Sequence, residues 1–297
     1  MSKTISFIGL GVMGRPMAAN LSAAGYDLVA HTRSEHSRDR ARAAGVRVVD
    51  TLDELPDAPD FVVTVLPDSP DVEAVLFAEY GPLARSGLGT LFVDMSTISP
   101  DAARSISDRL TGAGRRSLDA PVSGGESGAI DASLSIMVGG HEEDVARAQA
   151  MFAVLGNIIV HVGDHGSGQV TKAANQMIVA CNLAILGEAL VFIRRHGLDP
   201  VAALEVISGG LAGSTVIDRK SAAMIAGNFE AGFRLALHNK DLGIVERAAA
   251  EAGLPLELTA AVTQRVRSLV ATGRGELDHS ALYIAAAEAA GLSEWSE

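Results

Sequence analysis

The chain has 297 residues, enough for two domains with separate hydrophobic cores. Its formal net charge of −12 argues against nucleic acid and anionic membranes as partners, because both would repel an acidic surface. The single cysteine, Cys181, excludes an intrachain disulfide, so nothing indicates an oxidising compartment. We find no signal-peptide pattern and no stretch that we consider long and apolar enough to span a bilayer, and we therefore expect a cytoplasmic protein.

A glycine-rich turn follows the first apolar run. Thr4 to Ile8 predicts a strand, Pro16 stands where a helix would begin, and Asp27 to His31 predicts a second strand. Between them the chain matches G-x-G-x-x-G, which binds the pyrophosphate of a dinucleotide when it joins a strand to a helix. The alternative is a glycine-rich turn of some other α/β protein. The predicted coenzyme contacts are Gly9, Leu10, Gly11, Val12, Met13 and Gly14.

The end of the second predicted strand bears on the choice of coenzyme. A carboxylate there would bind the ribose 2′-hydroxyl of NAD, but no acid occurs before Glu35. Arg33 would pair with a 2′-phosphate, and the Ser34 hydroxyl would donate to the same group. The alternative is a solvated arginine that opens a charged helix. We expect a nicotinamide coenzyme, NADP or NAD, and favour NADPH.

Further strands alternate with helices and predict a mostly parallel, doubly wound sheet of the Rossmann type. In such sheets ligands bind beyond the carboxyl ends of the strands, which makes Leu66, Pro67 and Thr97 candidate coenzyme contacts. A strand terminator and an ordinary turn explain the same residues equally well. The predicted strands are Val46–Val49, Phe61–Leu66, Leu91–Asp94, Ser117–Asp119, Leu134–Val138 and Ile158–Val162.

The segment Asp119 to Gly125 reads Asp-Ala-Pro-Val-Ser-Gly-Gly and also follows a predicted strand. Ser123, Gly124 and Gly125 offer a hydroxyl and unobstructed backbone N–H groups, an arrangement suited to a substrate carboxylate. A flexible turn is the alternative, and would be the better interpretation if the segment stood alone.

The remainder of the chain reads as helices only. We predict a dinucleotide-binding domain over residues 1–163 and an all-α domain over 164–297, joined by a helix from Ser167 to His196. The other predicted helices are Pro200–Ser208, Ser214–Ile225, Lys240–Ala252, Pro255–Thr272 and Ser280–Ala290. Lys172 lies near the start of the joining helix, with Asn175 on the same face. Spacing alone slightly favours a solvated lysine.

These motifs resemble those of the β-hydroxyacid dehydrogenases over essentially the whole chain. The family carries a glycine-rich start like Gly9–Pro16, an element like Asp119–Gly125, a helix start like Gly168–Asn175 and a Lys-Asp pair like Lys240-Asp241. Three further stretches resemble the branch of the family that reduces tartronate semialdehyde. These are Gly209–Thr215, Gly232–His238 and Asp278–Leu282.

The resemblance implies a role for each candidate. Lys172 would be the catalytic acid and base, and Asn175 would orient the substrate or the lysine. Ser123, Gly124 and Gly125 would hold the substrate carboxylate, and Lys240 would contact the coenzyme. Two positions depart from the family pattern: Thr32 stands where that branch often has an acid, and Ala132 where glycine is common.

We therefore expect a tartronate semialdehyde reductase, with a 3-hydroxyisobutyrate dehydrogenase or a related short 3-hydroxyacid dehydrogenase as the alternative. A non-catalytic binding module is a third reading, which the presence of Lys172 disfavours. The eight histidines show no metal-ligand spacing, so we expect no metal. His238 and His279 are interpreted as structural. The long apolar helix and the Ala-rich C-terminal helices favour a homodimer or homotetramer.

Overall fold

The computed structural model describes residues 2–292 and divides into two compact units, Met1–Lys172 and Ala173–Glu297. The first unit contains a nine-stranded sheet. Its strands are β1 (Thr4–Ile8), β2 (Asp27–His31), β3 (Arg47–Val49), β4 (Phe61–Thr64), β5 (Leu91–Asp94), β6 (Arg116–Asp119), β7 (Val122–Ser123), β8 (Leu134–Gly139) and β9 (Gly156–Gly163).

The strand order is that of a doubly wound dinucleotide-binding sheet. Strands β3-β2-β1-β4-β5-β6 are parallel neighbours, and β8 continues the sheet antiparallel to β6 and β7. Strand β9 lies parallel to β8. The chain winds outward from β1 to β3 and then returns to β4 on the other side of β1. The loop after β1 therefore lies at the switch point, where such sheets bind dinucleotides.

Seven helices belong to the first unit: α1 (Gly14–Ala23), α2 (Glu35–Ala43), α3 (Ser69–Leu76), α4 (Pro82–Arg85), α5 (Pro100–Gly112), α6 (Gly125–Ile130) and α7 (Glu142–Leu155). Two buried clusters flank the sheet, because successive strand residues point to opposite faces. Phe7 packs in one cluster with Met17 and Phe152, while the adjacent Ile8 packs in the other with Leu110. Burial on both faces explains why the central strands are mostly apolar.

The second unit is helical. Helix α8 (Ser167–Arg195) starts in the first unit and continues into the second, where it is followed by α9 (Pro200–Ser208), α10 (Thr215–Ala226), α11 (Leu235–Glu251), α12 (Glu257–Leu269) and α13 (Leu282–Ala289). One buried cluster holds this unit together. It includes Leu183 and Leu190 of α8, Leu242 of α11 and Tyr283 of α13.

The predicted fold class is confirmed: a Rossmann-type sheet is followed by an all-α part that a long helix joins to it. Strand β7 was missed, and α11 begins at Leu235, five residues before the predicted start at Lys240. Helix α12 ends at Leu269 and gives way to a wide turn over Val270–Arg274. The predicted boundary between residues 163 and 164 stays a prediction; the compact units divide after Lys172.

One sequence expectation was wrong. Helix α8 is long and apolar enough to cross a membrane by length and composition, with a mean hydropathy of 1.9 in its most apolar window. A single helix of this kind is weak evidence for a membrane span, because the core helix of a soluble protein passes the same test.

Candidate active site

The loop after β1 depends on glycine at its first and last positions. Gly9 has a φ of 105°, and a Cβ there would lie 2.1 Å from the carbonyl oxygen of Val65. Its N–H donates to the carbonyl of His31 at 2.9 Å. A Cβ on Gly14 would lie 1.9 Å from the carbonyl oxygen of Gly9. These contacts give the tight turn and the close helix–strand packing that the motif requires.

The middle of the same loop is open. A Cβ on Gly11 would meet no heavy atom within 4 Å, and Gly11 and Val12 are exposed, whereas Leu10 is buried. Helix α1 begins at Gly14, directly after Met13, with Pro16 in its first turn. An exposed loop without side-chain bulk at the start of a helix fits a pyrophosphate, which accepts hydrogen bonds from the N-terminal N–H groups. The residues present therefore fit a dinucleotide coenzyme.

The segment after β2 contains an ion pair that sequence reasoning missed. The exposed guanidinium of Arg33 donates to Oδ1 of Asp71, at the start of α3, at 3.0 Å. Ser34 caps α2, because its hydroxyl oxygen accepts from the N–H of Ser37 at 3.3 Å. The hydroxyl hydrogen of Ser34 is not used by this cap and can serve a second acceptor. Asp71 is therefore the partner of Arg33 in this structure.

A hydrogen-bonded network fixes the loops after β4 and β5. The buried carboxylate of Asp94 accepts from the hydroxyl of Thr64 at 2.7 Å and from the N–H of Ser96 at 3.1 Å. The hydroxyl of Ser96 in turn accepts from the N–H of Leu66 at 2.8 Å. Burial raises the pKa of Asp94, which outweighs the lowering effect of Ser96 and Thr64. The network thus holds the predicted contact Leu66 and reaches Ser96, the residue before the predicted contact Thr97. Exposed Pro67 follows Leu66.

The Ser-Gly-Gly segment is a strand followed by two left-handed glycines. Ser123 ends β7 and is half-buried, and Gly124 and Gly125 have φ angles of 139° and 65°. Gly124 also lies close to Leu134, where a Cβ would meet the Leu134 side chain at 3.1 Å. Consecutive glycines with positive φ angles form a concave backbone surface of the kind that binds anions.

The start of α8 is built against β6. The carboxylate of Asp119 accepts from the N–H of Gly166 at 2.8 Å and from the N–H of Gln169 at 3.0 Å, and so caps the helix from 47 residues away in sequence. A Cβ on Gly168 would lie 2.5 Å from the carbonyl oxygen of Met137, so this position accepts only glycine. Burial raises the pKa of Asp119 despite the two N–H donors. One turn later comes Lys172, which is 7% exposed.

In the second unit the amide side chain of Gln176 connects the predicted site residue Asn175 to the Lys240-Asp241 pair. Asn175 donates to Gln176 Oε1 at 2.9 Å, and Gln176 donates to the buried carboxylate of Asp241 at 2.6 Å. Lys240 pairs with Asp241 at 2.8 Å and keeps 18% of its side chain exposed. The Lys240-Asp241 pair is therefore partly buried and belongs to the same cluster as Gln176.

Two histidines lie beside this cluster in the second unit. The Nδ1 atoms of His238 and His279 are 3.2 Å apart, and Nε2 of His238 lies 3.4 Å from the carbonyl oxygen of Gln176. Two Nδ1 atoms share a hydrogen bond only when one of them lacks its proton, so at most one ring carries a positive charge at this contact. Both rings are buried.

Comparison with known proteins gives the same assignment over most of the chain. The family model described as the NAD binding domain of 6-phosphogluconate dehydrogenase matches residues 4–163, and the model described as NAD-binding of NADP-dependent 3-hydroxyisobutyrate dehydrogenase matches residues 166–286. The chain belongs to the β-hydroxyacid dehydrogenase family. It is an NAD(P)-dependent oxidoreductase, as the sequence motifs predicted.

Relatives in the family differ in their substrates. The 2-hydroxy-3-oxopropionate reductase of Escherichia coli is 41% identical and covers 94% of this chain and 95% of its own length. The mitochondrial 3-hydroxyisobutyrate dehydrogenase of Drosophila melanogaster is 35% identical, over 95% and 90% of the two chains. The solved structure of Mycobacterium tuberculosis 3-hydroxyisobutyrate dehydrogenase with L-serine has a TM-score of 0.86 and 33% identity, over 96% of this chain and 99% of its own.

Sequence reasoning identified the candidate residues but missed the groups that hold them. Asp119 was quoted only as part of a motif, whereas its carboxylate caps α8. Asp71, Asp94 and Gln169 were not singled out. Apart from the Ser96 N–H that Asp94 binds, their side-chain partners lie at least 30 residues away along the chain. A single sequence carries no local signal for such distant pairs. Among residues 2–292, no group of three His, Cys, Asp or Glu side chains could hold a metal ion.

Proposed function

We propose that the protein reduces tartronate semialdehyde (2-hydroxy-3-oxopropionate) to glycerate with NAD(P)H. The observation that carries the chemistry is Lys172, a buried lysine one turn into a helix whose start is fixed by Asp119 and Gly168. The substrate is proposed from the 41% identity with the Escherichia coli 2-hydroxy-3-oxopropionate reductase and from the three stretches that resemble that branch. Reduction of methylmalonate semialdehyde by a 3-hydroxyisobutyrate dehydrogenase is the second candidate, because relatives with that name are 35% identical.

The reduction needs a hydride on the aldehyde carbon and a proton on the carbonyl oxygen. The bound nicotinamide coenzyme supplies the hydride. Lys172 stabilises the negative charge that develops on the carbonyl oxygen and then donates a proton from its ammonium group to that oxygen, which yields the alcohol. In the reverse direction the neutral amine of Lys172 takes the proton from the alcohol oxygen.

The other candidates bind and orient. The N–H groups of Gly124 and Gly125 and the hydroxyl of Ser123 donate to the substrate carboxylate in this proposal. Asn175 orients the substrate hydroxyl or Lys172. Lys240, fixed by its ion pair with Asp241, contacts the coenzyme.

The role of Lys172 predicts a specific kinetic defect. Lys172→Ala should lower kcat by at least ~10²-fold, since a general acid contributes roughly 10² to 10⁴. Coenzyme affinity, measured by fluorescence titration, should stay within a few-fold of the wild type. Lys3→Ala serves as the control, because exposed Lys3 precedes β1 and has no proposed role. A folded Lys172→Ala enzyme that turns over normally would remove this lysine from its role.

Discrimination between two aldehydes tests the substrate. Tartronate semialdehyde has a hydroxyl where methylmalonate semialdehyde has a methyl group. A site that hydrogen-bonds the hydroxyl rejects the methyl compound, because its own polar groups would stay unpaired. We expect kcat/KM for tartronate semialdehyde to be larger by ~10² or more. Equal values, or a preference for the methyl compound, would support the second candidate and leave the role of Lys172 intact.

We further propose that NADPH is the preferred coenzyme and that Arg33 binds its 2′-phosphate. The exposed Arg33–Asp71 pair gives two opposite substitutions. Arg33→Ala should weaken NADPH much more than NADH, while Asp71→Asn should strengthen NADPH by freeing the guanidinium. The measurement is the dissociation constants of NADPH and NADH for the wild type and for both variants. An equal loss for both coenzymes in Arg33→Ala, or a wild type that prefers NADH, contradicts the assignment.

Two finer statements also belong to the proposal. The protein acts as a homodimer or homotetramer, supported by the exposed apolar residues Ile178, Ile185 and Phe192 of α8. It acts in the cytoplasm, supported by the absence of any sequence feature that indicates an oxidising compartment.

A further inference from the structure

Gln169 makes three hydrogen bonds from the first turn of α8. Its side-chain Nε2 donates to the carbonyl of Ser96 at 2.9 Å, and its Oε1 accepts from the N–H of Ile98 at 3.1 Å. Its backbone N–H donates to Asp119 at 3.0 Å. The side chain is 1% exposed. A buried amide with both of its functional groups paired is a rigid connection, because breaking either bond leaves a polar group unsatisfied.

The amide bonds the backbone on both sides of Thr97. Gln169 therefore holds the segment Ser96–Ile98 as a neighbouring strand would, through one carbonyl and one N–H. The same segment is tied to β5 and to the loop after β4 through the hydroxyl and N–H of Ser96. Gln169 thus attaches α8 to the loops after β4 and β5, where the predicted coenzyme contacts Leu66 and Thr97 lie.

Lys172 follows Gln169 by three residues on the same helix. That separation is about 4.5 Å along the helix axis and leaves the two side chains close to one face. Gln169 sets the distance between α8 and the Ser96–Ile98 segment, one helical turn before Lys172. A change in that distance would move the backbone of Lys172 by a similar amount, because an α-helix transmits a displacement along its axis with little deformation.

We propose that Gln169 is a positioning residue that sets the location of the Lys172 ammonium relative to the Ser96–Ile98 segment. Gln169 acts through Lys172 and does not touch the reacting atoms. The inference rests on the proposed role of Lys172 as general acid. Proton transfer needs the donor within about 3 Å of its acceptor, and a misplacement of about 1 Å lowers turnover as much as 10²-fold.

Two substitutions separate positioning from a merely structural role. Gln169→Met keeps the length of the side chain and removes both hydrogen bonds. Gln169→Glu keeps both when its carboxyl is neutral, since the acid O–H can donate to Ser96 and the carbonyl oxygen can accept from Ile98. Ionised, the same group would place a negative charge against the carbonyl oxygen of Ser96. Burial raises the pKa of a carboxyl, so the neutral form extends toward neutral pH.

We expect Gln169→Met to lower kcat ~10-fold or more at saturating coenzyme and substrate. The value of kcat is calculated per coenzyme-binding site, so that unfolded protein does not contribute. Gln169→Glu should recover most of the wild-type kcat at low pH and lose it as pH rises, with a steeper decline than the wild type shows. Unchanged kcat per site in Gln169→Met would overturn the proposal. So would a Gln169→Glu profile parallel to that of the wild type.

A double-mutant cycle distinguishes this inference from the proposed function beneath it. If Gln169 acts through Lys172, adding Gln169→Met to Lys172→Ala should slow the enzyme no further. The same fold-loss in both backgrounds would show that Gln169 acts elsewhere and would overturn the inference. Normal turnover in Lys172→Ala alone would instead refute the proposed role of Lys172. That measurement does not depend on the Gln169 variants, so the two failures can be told apart.

Discussion

Asp278 accepts hydrogen bonds from four groups although it is 2% exposed. The ammonium of Lys220 donates to its two oxygens at 2.9 and 3.0 Å. The N–H groups of Gly232, Phe233 and Ser280 donate at 3.1, 3.0 and 3.0 Å. Burial would raise the pKa of Asp278, but the charge of His279, the Phe233 N–H and Lys220 lower it from 3.8 to about 2.

This lowered pKa has a defined consequence for stability. A carboxylate whose folded-state pKa of about 2 lies below its reference value of 3.8 stabilises the fold at every pH above 3.8. The stabilisation decreases as the pH falls from 3.8 and is gone once the pH is below about 2. The hydrogen bonds that Asp278 accepts from Gly232 and Phe233, just before α11, are strongest while its carboxylate is ionised.

Lys220→Met should therefore destabilise the protein most at neutral pH. We expect a loss of at least about 2 kcal/mol in the free energy of unfolding at pH 7, because a nearly buried carboxylate loses its charged partner. The deficit should shrink as the pH falls below about 4, since protonated Asp278 no longer needs the ammonium. Urea unfolding of both proteins between pH 7 and pH 3 measures the difference.

The matched control is Arg234→Met, which removes the exposed ion pair with Glu276. Exposed pairs contribute at most about 1 kcal/mol, so this variant should stay close to the wild type at each pH. A Lys220→Met deficit of the same size at pH 7 and pH 3 would contradict the explanation.

At the scale of elements, the turn between α6 and β8 contains a strained alanine. Ala132 has a φ of 53°, in the left-handed region where the Cβ clashes with the backbone. The resemblance to the family implies glycine at this position. Glycine would adopt the φ angle of Ala132 without strain, because it has no Cβ.

Ala132→Gly should raise the free energy of unfolding by about 0.5–1 kcal/mol, the relieved strain less the entropy that glycine gains in the unfolded chain. The control is Ala146→Gly on the exposed side of α7, where glycine costs about 0.5–1 kcal/mol. Chemical denaturation at one pH compares the three proteins. If Ala132→Gly lowers the free energy of unfolding as Ala146→Gly does, Ala132 is not strained in the native turn and the explanation is wrong.

Elements with local signals were predicted well. The strands β1, β2 and β5 have the predicted bounds, because apolar runs end at turn residues. The start of α11 was missed because its capping is tertiary: the N–H groups of Leu235 and Ala236 donate to the carbonyls of Leu277 and Gly275. No side chain caps that helix locally.

The same distinction applies to the candidate site. The glycine motif could be interpreted from sequence because its three glycines lie within one loop. The carbonyl oxygen of Val65, which excludes a side chain at Gly9, could not be predicted from that loop. The hydrogen bond from Gln169 to Ser96 joins residues 73 positions apart in sequence, and the Arg33–Asp71 pair joins residues 38 positions apart. Such pairs exist only after the sheet has brought the ends of several strands together. The proposed roles of Lys172 and the other candidates stay predictions.

At the scale of the whole molecule, α8 carries an apolar stripe that the second unit does not cover. Ile178, Ile185 and Phe192 recur every seven residues and are 60, 61 and 66% exposed. A repeat of seven places them on one side of the helix. The opposite side supplies Leu183 and Leu190 to the core. Three large side chains in a row on one solvent-exposed face are typical of a subunit interface.

We expect this stripe to be covered by a second copy of the chain. In a two-fold symmetric dimer each substitution occurs twice at one interface, so Ile185→Glu would bury two carboxylates against apolar surface. The variant should have a lower mass than the wild type in sedimentation velocity at micromolar concentration. Leu258→Glu on α12 is the control, since Leu258 is 79% exposed but lies outside the stripe, and its mass should match the wild type. A monomeric wild type, or an Ile185→Glu variant of unchanged mass, would exclude the stripe as the interface. Because α8 also carries Lys172, activity measured across the dissociation range would then show whether turnover depends on assembly.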